Sequence, residues 1–237
     1  MKPFQNFLDD IHCVRDRDPA CRNALEVLLC YPGFRAVRSH RFAHWLHTHG
    51  MKLPARVVSE LCRFFTGIDI HPGAVIGKRL FIDHGLGVVI GETTVIGDDV
   101  TLYQGATLGG TGKQTGKRHP TVGDHVTVCA GSSVLGPLTI GDHAKIGAGA
   151  VVLADVPRFA TVVGVPGHVV RMNGCPVVCG ENCTCEHPDA CPRETGKSGE
   201  AGVDLDQVHL PDPVQQQINL LLRRVEQLET QLKKNAE

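Results

Sequence analysis

An aliphatic residue returns at every sixth position between Ile68 and Val170, with two interruptions, and this period constrains the fold more than any other feature. An amphipathic helix requires apolar spacings of three and four, and a half-buried strand requires strict alternation. A period of six fits hexapeptide repeats of a parallel β-helix, in which each hexad forms one side of a triangular coil and directs its aliphatic side chain into a shared core. The periodic positions are Ile70, Ile76, Ile82, Ile90, Ile96, Leu102, Leu108, Val122, Val128, Val134, Ile140, Ile146 and Val152.

The two interruptions mark segments where functional residues can leave the repeat. The first is a two-residue slip between Ile82 and Ile90. The second lies between Leu108 and Val122, which are fourteen residues apart where twelve would keep the register. This second segment is rich in glycine and is predicted to leave the coil as a mobile loop. Its spacing does not match a phosphate-binding P-loop, and its basic residues either hold an anion or face solvent: Lys113, Lys117 and Arg118.

The flanking segments complete an α+β chain. Residues 1–66 are predicted to form a helical domain that covers the open backbone edge of the first coil. Asp18-Pro19 predicts a helix start, Tyr31-Pro32-Gly33 predicts a break, and further helices are expected from Phe34 to about Gly50 and from Pro54 to Phe65. We assign residues 67–172 to the β-helix, 173–212 to a Cys-rich tail and linker, and 213–237 to an amphipathic helix.

Composition narrows the functional classes. The net charge of −1 gives no broad attraction to nucleic acid. The sequence contains no apolar run that could span a bilayer, and residues 1–6 lack the features of a signal peptide. The ten cysteines do not form the framework of a small secreted fold, so we expect a reducing cytoplasmic location.

Two features of the tail leave alternatives open. Five cysteines accompany His187 within a short segment, and these residues either bind a metal or an iron–sulfur cluster or remain a reduced tail: Cys175, Cys179, Cys183, Cys185 and Cys191. Further on, apolar residues recur in steps of three and four, as in a coiled coil: Ile218, Leu221, Val225, Leu228 and Leu232. This segment forms either a parallel three-stranded coiled coil or a single helix docked on the body.

A carboxylate and an imidazole are predicted to face each other on adjacent coils. Asp69 and His84 lie fifteen residues apart, close to one eighteen-residue turn, and Asp83 precedes the histidine. A carboxylate that accepts a hydrogen bond from an imidazole fixes its tautomer and makes it a better general base. The alternative is that both are solvated loop residues.

Several motifs together resemble the serine O-acetyltransferase family. They are Asp69-Ile70-His71-Pro72, Asp83-His84, Gly91-Glu92-Thr93, Thr107-Leu108-Gly109-Gly110-Thr111-Gly112-Lys113 and Arg118-His119-Pro120. The resemblance extends from about Val14 to Gly167. Hexapeptide repeats alone would indicate only a large acyltransferase superfamily, whereas the Asp-His and Arg-His-Pro motifs in this order are more specific.

The resemblance implies a left-handed β-helix that forms trimers, with active sites between neighbouring subunits. His84 would be the general base and Asp69 its orienting carboxylate. Asp18 and Asp83 would contact the amino group or hydroxyl of L-serine. Arg118 would bind the serine carboxylate through paired, charge-assisted hydrogen bonds. His119 would lie near the reacting centre, as a substrate contact or an oxyanion stabiliser.

The family makes O-acetylserine from L-serine and acetyl-CoA. No serine or cysteine in these motifs is placed as a covalent nucleophile, so direct transfer in a ternary complex is expected, with no obligatory metal. Small residues would admit the pantetheine arm of coenzyme A along the coils: Gly110, Ala130 and Ala148. Cys129 beside them is expected to be a core thiol, and L-cysteine is expected to compete in the serine pocket as a feedback inhibitor.

The two ends differ from the family pattern. Only about 66 residues precede the repeats, so the resemblance supports a trimer more strongly than the hexamer of members with a longer helical domain. The chain ends without the C-terminal isoleucine that docks into O-acetylserine sulfhydrylase, so that complex is not expected. An inactive scaffold would lack Asp69, His84 or Arg118, and all three are present. Another hydroxyl acceptor remains an alternative, although Arg118 favours one that carries a carboxylate.

Overall fold

The computed structural model describes residues 3–112, 115–173, 175–176, 218–219, 221–225, 227–229 and 231. Four helices come first: Pro3–Arg17 (α1), Ala24–Cys30 (α2), Pro32–Thr48 (α3) and Lys52–Thr66 (α4). Tyr31 ends α2 and precedes α3, whose first residue is proline, so the predicted break is confirmed. Gly67 ends α4 with a positive φ of 71°, a conformation that glycine adopts without steric penalty.

The predicted helix start at Asp18 is wrong. Asp18 follows the last residue of α1, and its backbone N–H donates to the carbonyl oxygen of Val14. Its side chain accepts a hydrogen bond from the N–H of Ala20, which closes an Asx turn instead of a helix N-terminus. The next helix is capped by Asn23, whose side chain accepts from the N–H of Glu26.

Short parallel strands then wind into three sheets. The first sheet contains Asp69–Ile70 (β1), Val89–Ile90 (β4), Thr107–Gly109 (β7), Ser133–Leu135 (β10) and Val151–Val152 (β13). The second contains Val75–Ile76 (β2), Val95–Ile96 (β5), Thr121–Val122 (β8) and Thr139–Ile140 (β11). The third contains Phe81–Ile82 (β3), Thr101–Leu102 (β6), Thr127–Val128 (β9), Lys145–Ile146 (β12), Ala160–Val163 (β14), His168–Met172 (β15) and Cys175–Pro176 (β16).

The period-six residues fill the core, as predicted. Twelve of the thirteen are buried, and Ile76 packs partly buried against the same cluster. A second inward row lies two residues earlier in each hexad and is mostly aliphatic or alanine, as at Val88, Val100 and Ala150. Each hexad therefore contributes two side chains to the core, which explains why a coil of such short strands excludes water.

Strand pairing fixes the length of every coil. Ile70 pairs with Ile90, a coil of twenty residues, and Ile90 pairs with Leu108, a coil of eighteen. Leu108 pairs with Val134, a coil of twenty-six residues. Since β7 and β8 are consecutive sides of this coil, an uninterrupted repeat would place Leu108 and Val122 six residues apart. They lie fourteen apart, so the excursion adds eight residues to the repeat, and the predicted addition of two residues was wrong. A twelve-residue spacing would have required a further strand between them.

The parallel coil ends at β14. This strand pairs parallel with β12, but β15 then returns antiparallel to β14 and β16 antiparallel to β15. The repeat pattern did not predict this hairpin, because Ala160–Val163 still carries an alternating buried pattern.

The helices cover the open edge of the first coil, as expected. Ser59 of α4 donates to the carbonyl oxygen of Ile70 at 2.7 Å, and His44 Nδ1 of α3 hydrogen-bonds the carbonyl oxygen of Pro72 at 2.8 Å. Gly33 lies so close to Ile82 that a Cβ would come within 2.1 Å of its carbonyl oxygen. These contacts satisfy backbone groups that would otherwise be exposed at an unpaired edge.

A partly buried arginine joins α1 to the second coil. Arg17 donates to the carboxylate of Asp99 at 2.8 Å, to the carbonyl oxygen of Val100 at 3.1 Å and to the hydroxyl of Thr101 at 3.0 Å. Its side chain is only 10% exposed. The end of α1, where Asp18 lies, is therefore fixed against the outer face of the third sheet.

The C-terminal expectations are only partly within the described residues. Residues 218–219, 221–225, 227–229 and 231 are helical, and the apolar side chains of Ile218, Leu221, Val225 and Leu228 are exposed in the single chain. The linker and the Cys-rich cluster lie outside the described residues, except for the backbone of Cys175 in β16. The coiled coil and the metal question remain predictions.

Candidate active site

The predicted site residues fall on two corners of the triangular coil. We call the corner between the third and first sheets the His84 corner; it contains residues 83–87, 103–105, 129–131 and 147–149. We call the corner between the first and second sheets the His119 corner; it contains residues 71–73, 91–93, 110–112 and 115–120. Strands of the first sheet separate the two corners.

His84 lies on an exposed turn at the His84 corner. The residue has a positive φ of 55°, and its side chain is 75% exposed. The turn rests on the end of α4, since the N–H of Gly87 donates to the carbonyl oxygen of Gly67 at 2.9 Å. The imidazole therefore projects into solvent from a backbone that is itself held in place.

The structure brings the Asp69 and His84 segments together but not their side chains into a hydrogen bond. A Cβ on Gly85 would lie 2.5 Å from the Ile68 side chain, so the His84 turn packs beside the residue that precedes Asp69. The Asp69 carboxylate instead lies 3.6 Å from the guanidinium of Arg63, at the end of α4. The carboxylate nearest to His84 is that of Asp83, at 4.0 Å from Nε2.

Asp18 is held within the N-terminal helices. Its carboxylate accepts hydrogen bonds from the Tyr31 hydroxyl and from the N–H of Ala20. The Asp18 hydrogen bond contributes, after burial, to a raised pKa of Tyr31. Arg17 binds Thr101 in the third sheet, so Asp18 lies on the side of the coil that this sheet forms. Asp83 directly follows the first strand of the same sheet, Phe81–Ile82.

An ion pair dominates the His119 corner. Arg118 Nη2 lies 2.5 Å from Glu92 Oε2, and the two residues come from consecutive coils. The hydrogen bond from Arg118 holds the pKa of Glu92 below its usual value. A guanidinium can bind a carboxylate through two parallel hydrogen bonds, so Arg118 has the chemistry to bind a substrate carboxylate in place of Glu92.

His119 is buried against glycine. Its side chain packs so closely on Gly91 that a Cβ there would come within 1.9 Å of the ring Cδ2 atom. Nδ1 accepts a hydrogen bond from the N–H of Thr93 at 3.2 Å and lies 2.9 Å from the Thr93 hydroxyl. Burial, followed by the nearby Arg118 charge, lowers the pKa of His119.

The excursion between β7 and β8 returns to the coil through Lys117. Its Nζ donates to the carbonyl oxygens of Thr93 at 2.8 Å and Pro120 at 3.2 Å. Of the predicted anion ligands, Lys117 therefore binds backbone, Arg118 pairs with Glu92, and Lys113 lies outside the described residues.

The three predicted coenzyme A residues divide between the corners. Ala130 and Ala148 lie on the His84 corner, stacked on successive coils by the hydrogen bond from Gly149 N–H to the Ala130 carbonyl oxygen at 2.9 Å. Gly110 lies on the His119 corner, where a Cβ would come within 2.9 Å of the Arg118 carbonyl oxygen. The small size of Gly110 is thus already required by the chain itself. Cys129 is buried, as expected of a core thiol.

Thr93 and Glu92 are the site residues that sequence reasoning missed as such. Both occur in the quoted Gly91-Glu92-Thr93 motif, but their partners lie twenty-six residues away across the excursion. In the part of the chain that the structure describes, no group of three or more His, Cys, Asp or Glu side chains is arranged to hold a metal. Within the same part, no helix is long and apolar enough to cross a membrane.

Comparisons with known proteins decide the family. Residues 2–39 match the family model "Serine acetyltransferase, N-terminal", and residues 119–154 match "Bacterial transferase hexapeptide (six repeats)". The serine acetyltransferase of Staphylococcus aureus is 50% identical over 218 residues, which are 92% of this chain and 91% of the relative. The chain belongs to the serine acetyltransferase family. It is therefore an acyltransferase, and its coil is the left-handed β-helix of that family.

Solved serine acetyltransferases have the same fold. The Neisseria gonorrhoeae protein is 43% identical with a TM-score of 0.70, over 71% of this chain and 65% of that one. This chain thus spans slightly less than two thirds of that structure. The Brucella abortus protein in complex with coenzyme A is 42% identical with a TM-score of 0.70, over 71% of this chain and 68% of that one. Other structures of the family are described as complexes with serine and with cysteine.

Proposed function

We propose that the chain transfers the acetyl group of acetyl-CoA to the hydroxyl of L-serine, giving O-acetyl-L-serine and CoA. The observation that carries this proposal is the 50% identity to a serine acetyltransferase along almost the whole chain. The relatives in complex with coenzyme A and with serine support the two substrates. The described residues add a guanidinium suited to a carboxylate and an exposed imidazole suited to a base.

The proposed reaction needs no covalent intermediate on the protein. His84 removes the hydroxyl proton as the serine oxygen attacks the thioester carbonyl carbon, because an alcohol is a poor nucleophile without a base. The tetrahedral intermediate then collapses and expels the CoA sulfur, which recovers the proton from His84. A neutral His119 donates a hydrogen bond from Nε2 to the oxyanion while it exists.

The remaining residues bind and orient. Arg118 exchanges its Glu92 partner for the serine carboxylate, and Asp18 and Asp83 contact the serine amino group. Asp69 leaves Arg63 and accepts a hydrogen bond from the Nδ1–H of His84, which fixes the base in the tautomer that presents Nε2 to the hydroxyl. Ala130 and Ala148 admit the pantetheine arm along the His84 corner, and Gly110 borders it from the His119 corner.

We propose a trimer because one chain separates the base from the carboxylate-binding arginine. The strands of the first sheet lie between the His84 and His119 corners of a single chain. In a closed threefold ring, the His84 corner of one subunit lies beside the His119 corner of its neighbour, and each site is completed by both. Three sites result, each in a cleft between two subunits.

L-cysteine is proposed as a feedback inhibitor in the serine pocket. It differs from serine only in the atom that attacks, so Arg118 can bind its carboxylate in the same way. A relative described as a complex with cysteine supports this assignment. A cytoplasmic location is also proposed, since Cys13, Cys21, Cys30 and Cys62 are free thiols, as is usual in a reducing compartment.

The first experiment measures CoA release with a thiol reagent from acetyl-CoA and L-serine. Wild type is expected to release CoA only with serine present, and His84→Ala to lose about two to four orders of magnitude in kcat. His12→Ala, an exposed histidine on α1, is the control and should match wild type. Activity with homoserine or an amino sugar but not serine would indicate another acceptor, and no activity with any acceptor would indicate a scaffold.

A further inference from the structure

We propose that Thr93 is a positioning residue that fixes the neutral tautomer of His119 with its proton on Nε2. The inference deepens the proposed function and rests on it for the catalytic consequence, although the tautomer itself can be measured without any reaction. It concerns three groups: the Thr93 hydroxyl, the Thr93 backbone N–H and the His119 ring.

The direction of the hydrogen bonds follows from the backbone. A peptide N–H can only donate, so the contact from the Thr93 N–H at 3.2 Å requires Nδ1 of His119 to be an acceptor. An acceptor Nδ1 carries no proton. The neutral ring must then hold its proton on Nε2.

The Thr93 hydroxyl reinforces the same assignment. Its oxygen accepts the backbone N–H of Arg118 at 3.1 Å and the backbone N–H of His119 at 3.2 Å. With both acceptor positions used, its own proton is free to donate to Nδ1, which lies 2.9 Å away. The Thr93 hydroxyl thus hydrogen-bonds both the backbone that carries the His119 ring and the ring atom Nδ1, which in the proposed site faces away from the substrate.

Packing leaves the ring no alternative orientation. The ring lies on the backbone of Gly91, where a Cβ would come within 2.2 Å of Nε2, and a Cβ on Gly110 would lie 3.3 Å from the same atom. A ring flip would place a carbon against the two Thr93 donors and leave them unpaired in a buried site.

The electrostatic surroundings favour the neutral ring. Arg118 and Lys117 are the nearby cations and Glu92 the nearby anion, and burial together with the Arg118 charge outweighs Glu92 in lowering the pKa of His119. A neutral imidazole with Nε2–H is a hydrogen-bond donor that keeps its proton. This is the form required to stabilise an oxyanion without transferring a proton to it.

The test combines kinetics with imidazole NMR. Thr93→Val removes the hydroxyl but keeps the backbone N–H, and Thr93→Ser restores the hydroxyl. The matched control is Thr94→Val, since Thr94 is fully buried and its hydroxyl has no hydrogen-bond partner. Nitrogen shifts are recorded on the full chain labelled with 15N-histidine, and the His119 signals are identified by their loss in His119→Asn.

Wild type is expected to show His119 as the Nε2–H tautomer at neutral pH. Thr93→Val should lower kcat about tenfold to a hundredfold with little change in the KM for serine, because the lost interaction acts in the transition state. The acidic limb of its pH profile should move to higher pH, since protonation of Nδ1 then breaks one hydrogen bond fewer. Thr93→Ser and Thr94→Val should stay within about threefold of wild type.

Two results would overturn the proposal. One is a wild-type His119 protonated on Nδ1, alone or together with Nε2, at neutral pH. The other is a folded Thr93→Val with wild-type kcat, pH profile and nitrogen shifts. If Thr93→Val does not fold, the protonation state of Nδ1 in the wild-type spectrum still decides. If wild type does not acetylate serine, the proposed function fails, while the NMR result on Thr93 stands independently.

Discussion

The Asp69 carboxylate lies 3.6 Å from the guanidinium of Arg63 and is not hydrogen-bonded to His84. The pair is partly solvent-exposed, so it contributes less than about 1 kcal/mol to folding and can exchange partners readily. The proposed mechanism requires this exchange when substrate binds.

The two members of this pair should therefore differ sharply when they are substituted. Asp69→Asn removes the carboxylate proposed to orient His84 and is expected to lower kcat about a hundredfold or more. Arg63→Gln leaves the carboxylate free and should keep at least wild-type kcat and a nearly unchanged melting temperature. Steady-state kinetics and thermal melts of both variants check this, and an equal loss of kcat in Arg63→Gln would show that Arg63 itself serves the reaction.

Glu92 competes with serine for Arg118 in the proposed site. Glu92→Gln removes the competing charge and should lower the KM for serine, with little change in kcat. Arg118→Lys should raise that KM about tenfold to a hundredfold, because an ammonium cannot form the paired hydrogen bonds of a guanidinium. Serine titrations at saturating acetyl-CoA measure both effects, and a higher KM in Glu92→Gln would mean that Glu92 assists Arg118 instead of opposing it.

Arg17 joins the N-terminal helices to the second coil, so its loss should affect both stability and substrate binding. Arg17→Ala is expected to lower the free energy of unfolding by about 2–3 kcal/mol, because it removes charge-assisted hydrogen bonds to Asp99 and Val100. It should also raise the KM for serine, since Asp18 is the next residue. Arg15→Ala, an exposed neighbour on α1, should change neither the melting temperature nor the kinetics.

His40 gives the fold a pH dependence of known sign. Burial, together with His44 and Arg41, lowers its pKa from 6.5 to about 3. The folded state therefore excludes a proton that the unfolded state binds below pH 6.5, and stability falls by about 1.4 kcal/mol for each pH unit below that value. Thermal melts between pH 7 and 4 should show a steeper fall in wild type than in His40→Met, and His12→Gln should behave as wild type.

The repeat region could be predicted from the sequence because its determinant is local. Val134, Ile140 and Ile146 recur at the period of one coil side, and each is buried as that period requires. The helix start predicted at Asp18-Pro19 was wrong because an aspartate side chain can either cap a helix or close an Asx turn. Which of the two forms depends on where α1 ends.

The arrangement of the site could be predicted only in part. The motifs predicted Arg118 and His119 as site residues, which stays a prediction. Their contacts with Glu92 and Thr93 bridge the excursion, and its length sets which side chains meet. Asp69 pairs with Arg63 because of the position of α4 against β1, and the repeat pattern of the sequence does not predict that position.

The eight additional residues between β7 and β8 leave the registers of all three sheets intact, so the fold does not fix the length of this segment. Exchange of residues 111–116 should therefore leave the packing of the core unchanged, provided that Lys117 and the residues after it are kept, because Lys117 fastens the end of the segment to the carbonyl oxygens of Thr93 and Pro120. The fold thus tolerates change in one strand-to-strand connection without change in the strands that the connection joins.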